Sequence, residues 1–233
     1  MKIVAFSDIH GNLLALKAFI EELKSIKYDL LIFCGDIFGY YYHQDEIIDE
    51  LSHLPDMVWL RGNHDQFFLD ILYEKHDEKA FIEKYGHSYF DLQNKISHHC
   101  IEKMKETIAS KEISVGNYRI GVFHGTPDNL LEGRLYPKNE VMNIEAYTKY
   151  NLVIMGHTHF KMNRCCNGTW LVNPGSLGQP RDGKGYGFAI IDTEKESVQF
   201  RNVSFDQVVL YAEIKKNDSN LKKLKDVLDR ENA

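Results

Sequence analysis

Three short apolar runs in the first 60 residues constrain the fold more than any other feature of this chain. Residues 2–6, 30–34 and 57–60 each have the length of a strand, and the stretches between them carry helical spacing. Asn12 is placed to cap a helix whose Leu13, Leu16, Ile20 and Leu23 share one face, and a second amphipathic stretch covers 45–51. Strand, helix, strand, helix, strand implies a parallel sheet with right-handed crossovers.

The rest of the chain changes pattern twice. From 66 to about 111 it is helical and strongly polar, with Leu92, Ile96, Cys100 and Ile108 as a weak apolar stripe, which suggests a helical cap or lid. Strands return at 113–115 and 118–123, joined by Gly116-Asn117, a dipeptide suited to a tight turn. A helix is expected at 139–147 and a buried strand at 152–155. The runs 161–166 and 169–172 flank Asn167-Gly168, and with 185–192 and 197–203 they predict antiparallel hairpins; 216–230 reads as a charged terminal helix. The chain has 233 residues, and single α/β domains run to roughly 250, so one domain over 1–233 is expected.

Composition narrows the function classes. With 43% apolar and 27% charged residues the chain can bury a sizeable core. A net charge of −6 argues against non-specific nucleic-acid binding and against anionic membranes. No apolar run approaches the roughly 18–20 residues of a membrane span, and the acidic turn at Asp8 comes too early for a signal peptide, so a cytoplasmic protein is expected. Cys34, Cys100, Cys165 and Cys166 lack zinc-knuckle spacing and read as buried, reduced thiols.

Five short segments concentrate the Asp, Asn and His residues, each where an expected strand ends: Asp8-Ile9-His10, Gly35-Asp36, Gly62-Asn63-His64-Asp65, His124-Gly125 and Gly156-His157-Thr158-His159. The carboxyl ends of strands in open α/β sheets form the ligand crevice, so five such ends converge on one site. Asp8 with His10, and His157 with His159, are i, i+2 pairs that extended backbone places on one side. Carboxylate, amide and imidazole without thiolate suit manganese, iron, cobalt or zinc, and affinity alone does not choose among them. Glycines 35, 62, 125 and 156 leave room beside these residues.

The ordered motifs D-x-H, G-D, G-N-H-D, H-G and G-H-T-H resemble the calcineurin-like metallophosphoesterase superfamily, and its short bacterial and archaeal phosphodiesterase branch in particular. Ser7-Asp-Ile-His-Gly-Asn and Asn173-Pro-Gly-Ser-Leu-Gly-Gln-Pro-Arg-Asp fit that branch, and the likeness spans about 1–205. The resemblance implies an α/β fold, a four-layer αββα sandwich, and two divalent ions, manganese first, with iron, zinc, cobalt or nickel as alternatives. Asp8, His10, Asp36 and His159 would hold one ion, and Asp36 would bridge to a second held by Asn63, His124 and His157. A hydroxide between the ions would attack a phosphodiester or nucleotide-type phosphoester or phosphoanhydride. His64 would face the substrate and protonate or hydrogen-bond a phosphate or leaving-group oxygen, and Arg61 could fork onto phosphate oxygens. The implied partner is a small phosphorylated molecule; homo-oligomerisation stays open.

The protein Ser/Thr phosphatase branch carries G-D-x-V-D-R-G, whereas Gly35-Asp36 here continues as Ile37-Phe38-Gly39-Tyr40. That departure argues against a protein phosphatase and leaves the partner that orients His64 unassigned. A phosphomonoesterase on the same site, or a catalytically silent scaffold of the same fold, are the alternatives. His43, His53, His76, His87, His98 and His99 read as ordinary histidines, since none sits in a ligand-like cluster. Tyr40, Tyr41 and Tyr42 are expected to pack the loop against the lid in preference to stacking on a flat substrate group. Asn173 is a candidate partner for a ligand histidine, and Arg181 either touches substrate or fixes its loop.

Overall fold

Two five-stranded sheets, packed face to face, organise the chain, and the computed structural model describes residues 1–73, 78–93 and 95–229. The first sheet takes β1 (Lys2–Phe6), β2 (Leu30–Phe33), β3 (Met57–Trp59), β9 (Gly187–Asp192) and β10 (Ser197–Asn202) in the order β10-β9-β1-β2-β3. β1, β2 and β3 are parallel, as the opening pattern requires, and the β9–β10 hairpin adds antiparallel to β1. The second sheet orders β4 (Ser110–Val115), β5 (Tyr118–Phe123), β6 (Leu152–Met155), β8 (Thr169–Pro174) and β7 (Lys161–Cys166) as β4-β5-β6-β8-β7, with β5, β6 and β8 parallel.

Side-chain alternation assigns each strand residue to a layer. Ile3, Ala5, Ile32, Ala189 and Ile191 of the first sheet meet Ile120, Val122, Leu152, Ile154 and Val172 of the second. Their neighbours Val4, Phe6, Leu31, Phe33 and Phe188 turn the other way, against α1 (Leu13–Leu23) and α2 (Gln44–Ser52). On the far face of the second sheet Val153, Met155 and Leu171 meet a thinner cover, α7 (Glu145–Thr148) and the loop before it. Strands covered on both faces must be apolar throughout, which is why β1, β2 and β6 read as unbroken hydrophobic runs. The result is the expected four-layer αββα sandwich. Asn12 caps α1 by accepting from the Ala15 N–H at 3.1 Å.

The polar middle segment folds into α3 (Asn63–Tyr73), α4 (Glu78–Tyr85), α5 (Ser88–Gln93) and α6 (His98–Glu106). Phe68, Ile71, Tyr89, Leu92, Cys100 and Met104 from these helices join the apolar cluster of α1 and α2, so they extend the helical layer on the first sheet. Ile108 leaves the expected stripe: it is 45% exposed and bridges Leu60 through its backbone.

Two helix expectations need correction. The helix at 139–147 shrinks to α7, because Asn139 and Asn143 sit in separate turns, as Asn prefers. The terminal helix becomes two, α8 (Val208–Asn217) and α9 (Lys222–Asp229), and residue 230 lies outside the described residues. The break falls at Asp218, whose carboxylate is drawn inward by the Tyr42 hydroxyl at 2.7 Å and the His87 ring at 2.6 Å. Among the described residues no helix is long and apolar enough to cross a membrane.

Candidate metal centre

Each expected ligand lies where a strand ends. Asp8 and His10 follow β1, Asp36 follows β2, Asn63 and His64 open α3 after β3, His124 follows β5, and His157 and His159 follow β6. They converge by a route the i, i+2 spacing did not anticipate. The backbone is left-handed at Asp8 (φ 57°), His10 (49°), Asp36 (69°), His157 (65°) and His159 (61°), so the pairs are turns and not extended segments. Asp, Asn and His are among the side chains that tolerate this region best, and no β-branched residue holds one of these positions.

Buried polar groups hold these turns in place. Asp65, which adjoins the motif without being an expected ligand, accepts from the backbone N–H groups of Asp36 (2.9 Å), Ile37 (2.7 Å), Phe38 (3.3 Å) and Gly62 (2.8 Å), tying the β2 turn to the β3 turn. Its only sequence signal was an acidic residue directly after His64. Ser176 donates to the Asp8 carbonyl at 2.7 Å. Asn173 donates to the Gly156 carbonyl at 2.7 Å and contacts the Thr158 hydroxyl at 3.2 Å, so it secures the backbone carrying His157 and His159 and does not orient a ring. Gly62 is required by proximity, since a Cβ there would stand 2.0 Å from Asp36 Oδ1.

Two triads emerge, Asp8 with His10 and His159, and Asp36 with His124 and His157. In the first, His10 Nε2 lies 3.1 Å from His159 Nε2, and Asp8 Oδ1 is 3.3 Å from the latter. In the second, His124 Nε2 lies 3.2 Å from His157 Nδ1, 3.3 Å from Asp36 Oδ2 and 3.0 Å from Asn63 Oδ1. Asp36 Oδ2 is also 3.7 Å from His10 Nε2, which places it between the triads.

Hydrogen bonding fixes three of the rings. A carbonyl oxygen only accepts, so Nδ1 of His10 donates to Phe38 (2.7 Å), Nδ1 of His124 to Cys34 (2.8 Å) and Nδ1 of His159 to Gln179 (2.5 Å). In their neutral form these rings carry their lone pairs on Nε2, aimed at one another and at buried carboxylates. Among the described residues Asp8 Oδ1 and Asp36 Oδ2 have no hydrogen-bond partner. Converging lone pairs and unpartnered carboxylate oxygens repel unless a cation stands among them, so this donor set fits divalent ions.

Burial sets the ionisation. It pushes His10 and His159 down, and His157 down to about 3, with neighbouring His124 adding to the last. Burial opposes the ionised form of Asp8, but His159 overcomes it and holds the carboxyl low. Burial drives Asp36 up to about 7 against the pull of His124, and Asp36 in turn outweighs burial to lift His124 to about 9. Exposure identifies the mouth: Asp8, His10 and His124 are 0% exposed, whereas His157 and His64 reach 6% and 7%.

His64 lies beside the first triad, its ring centroid 4.9 Å from that of His10. Its Nδ1 is 2.6 Å from the hydroxyl of Tyr89 on α5. Arg61 is placed differently from expectation. Its Nε and Nη atoms bond Thr107 Oγ1, Gln66 Oε1 and the carbonyls of Met104, Lys105 and Thr107, so it clamps the end of α6. Arg181 stands at the mouth instead, its Nη2 3.1 Å from Tyr40 Oη and 2.8 Å from Gln179 Oε1; burial holds His64 well below the usual imidazole range, and the Arg181 charge adds to the lowering of His10, His64 and His159. Tyr41 is wholly buried, Tyr42 bonds Asp218, and the Tyr40 N–H donates to the Tyr85 carbonyl, so the tyrosine loop packs on α4.

The remaining candidates lie away from the site. His43 pairs with Glu213 at 2.6 Å, His98 is solvent-facing, and His76 is outside the described residues. The cysteines are free, but only Cys34 and Cys100 are buried; Cys165 is exposed and Cys166 half-buried because β7 is an edge strand.

Residues 1–196 match the calcineurin-like phosphoesterase superfamily domain, and the chain belongs to that superfamily. It is similar to an uncharacterised protein of Methanocaldococcus jannaschii, 25% identical over 233 residues, with 92% of each chain covered. Its fold matches the crystal structure of a metallophosphoesterase from Sphaerobacter thermophilus (TM-score 0.75, 21% identity, 97% of this chain and 99% of that one). It also matches that of a hypothetical protein from Pyrococcus horikoshii (TM-score 0.79, 19% identity, 97% of each chain).

Proposed function

We propose that the protein is a binuclear metal-dependent phosphoesterase acting on a small phosphodiester or a nucleotide-type phosphoester or phosphoanhydride. The observation that carries this reading is Asp36 Oδ2, buried with no hydrogen-bond partner among the described residues and lying 3.3 Å from His124 Nε2 and 3.7 Å from His10 Nε2, between two converging triads. Asp8, His10 and His159 would hold one ion, Asn63, His124 and His157 the other, and Asp36 would serve both. When bound, a pair of divalent ions supplies Lewis acidity toward phosphoryl oxygens and lowers the pKa of water.

The chain's own residues do the rest. The histidine–carbonyl bonds keep three lone pairs aimed inward, and Asp65 holds the Asp36 turn against the Gly62 turn. His64, at the mouth, is set to hydrogen-bond a phosphate or leaving-group oxygen. Arg181, half-buried and bonded to Tyr40, offers guanidinium donors to the same phosphate, the role expected of Arg61. Donors that are at most 7% exposed favour a small phosphorylated substrate over a folded protein surface. Completeness of the ligand set and of His64 disfavours a silent scaffold.

The test is a panel of bis-p-nitrophenyl phosphate, p-nitrophenyl phosphate and dinucleoside polyphosphates with manganese, iron, cobalt, nickel or zinc. Diester or anhydride turnover is expected, highest with manganese, and Asp36→Asn should abolish it together with bound metal. Monoester turnover alone would move the assignment to a phosphomonoesterase, and no turnover with any ion would refute the reading.

A further inference from the structure

The bond between His64 and Tyr89 has a direction, and that direction decides what His64 offers a substrate. His10, His124 and His159 each present Nδ1 to a carbonyl, which can only accept. His64 presents Nδ1 to a hydroxyl, at 2.6 Å. A phenol has one hydrogen to place. The alternative acceptor for it, the His64 carbonyl, is 3.5 Å away, so the hydrogen belongs to Nδ1. Burial holds the Tyr89 hydroxyl well above the ordinary tyrosine range, which keeps that hydrogen in place.

The surroundings enclose the pair. Tyr89 is 1% exposed. Gly39 closes over the bond with left-handed backbone (φ 84°), and a Cβ there would stand 2.5 Å from His64 Nδ1 and 2.8 Å from Tyr89 Oη. Nδ1 is therefore shut away under the tyrosine loop. Nε2 has no hydrogen-bond partner among the described residues, and its ring meets that of His10 edge-on at 4.9 Å.

Resting on the phosphoesterase reading, we propose that Tyr89 is a positioning residue that fixes His64 as its Nε2–H tautomer, the reverse of the setting that the Nδ1–carbonyl bonds impose on His10 and His159. One pocket would thus carry two opposite histidine settings: rings that present lone pairs inward and a ring that presents an N–H. His64 then gives substrate a neutral hydrogen-bond donor, aimed before substrate arrives. The helices of the polar middle segment acquire a role through α5, which delivers the hydroxyl.

Ring nitrogen-15 NMR of the metal-free chain tests this without any turnover. A pyrrole-type Nε2 and a pyridine-type Nδ1 are expected for His64, and Tyr89→Phe, which keeps the ring and removes the hydroxyl, should mix the tautomers. In the metal-loaded enzyme Tyr89→Phe should lower kcat roughly tenfold, the size of one lost orienting bond, with KM and metal content unchanged. Adding it to His64→Ala should cost nothing more. A protonated Nδ1 in the parent protein, ring signals unmoved by Tyr89→Phe, or an equal kcat loss in the His64→Ala background would each overturn the proposal. If Tyr89→Phe does not fold, the parent spectrum decides alone. If the parent hydrolyses no phosphoester, the phosphoesterase reading falls while the spectrum still reports the tautomer.

Discussion

Asp65→Asn changes one atom and should loosen the centre that Asp65 never touches as a ligand. The carboxylate serves four backbone donors, two on each oxygen: Ile37 and Phe38 on Oδ1, Asp36 and Gly62 on Oδ2. An amide keeps one oxygen and turns an NH2 toward the other pair, so two donors lose their acceptor in a site with 0% exposure. Hydrogen bonds to a charged group contribute about 1.5–3 kcal/mol each. The amide will rotate to abandon the Ile37 and Phe38 pair, because the Phe38 bond is already long at 3.3 Å. The loss is then about 3 kcal/mol, which for a chain of this size is a fall in Tm of about 6–12 °C. Because the same carboxylate joins the β2 and β3 turns, Asp36 and Asn63 should lose their alignment together, and bound metal per chain should fall with them. Calorimetry of the metal-free variant and metal analysis after saturation and desalting read the two effects. A variant melting within about 2 °C of the parent and holding full metal would refute the assignment of Asp65 as the tie between the turns.

The two arginines should separate binding from stability. Arg181→Ala is expected to raise KM about tenfold, one lost charge-assisted bond, with little change in Tm. Arg61→Ala should leave KM unchanged and lower stability by about 1–3 kcal/mol by freeing the carbonyls at the end of α6. At His43 burial opposes charge, but Glu213 and Glu46 overcome it and raise the ring's pKa. A raised folded pKa gives stability that is fully present below the unfolded value of about 6.5 and is lost as pH rises through the folded value. His43→Gln should therefore cost about 0.5 kcal/mol at about pH 6 and nothing at about pH 9 by urea unfolding; an equal cost at both would refute it.

What was legible in the sequence follows from how each signal is made. The doubly covered strands were visible because burial on two faces demands continuous apolar runs, as in Ile3 to Phe6 and Leu152 to Met155. The candidate ligands were visible because few other roles call for Asp, Asn and His at five strand ends. Their left-handed backbone was not, since spacing fixes separation along the chain and not the dihedral. Arg61 adjoins the motif in sequence, yet its side chain follows the bridge between Leu60 and Ile108 away from the pocket. Tyr89 lies 25 residues from His64 on a helix with little apolar periodicity, and nothing local announces which way its hydroxyl points. The break at Asp218 likewise depends on distant Tyr42 and His87.

The left-handed backbone at the candidate ligands has a consequence for how the protein would exist without ions. Such conformations cost on the order of 1 kcal/mol each and persist only where the surrounding structure dictates them. Here the frame that dictates them is built of the two sheets and of the bonds that Asp65, Asn173 and Ser176 make to the turns. Ion capture should thus resemble filling a finished mould, unlike small zinc domains whose folding awaits the metal. A chelator would silence the protein reversibly while its far-ultraviolet circular dichroism stayed the same.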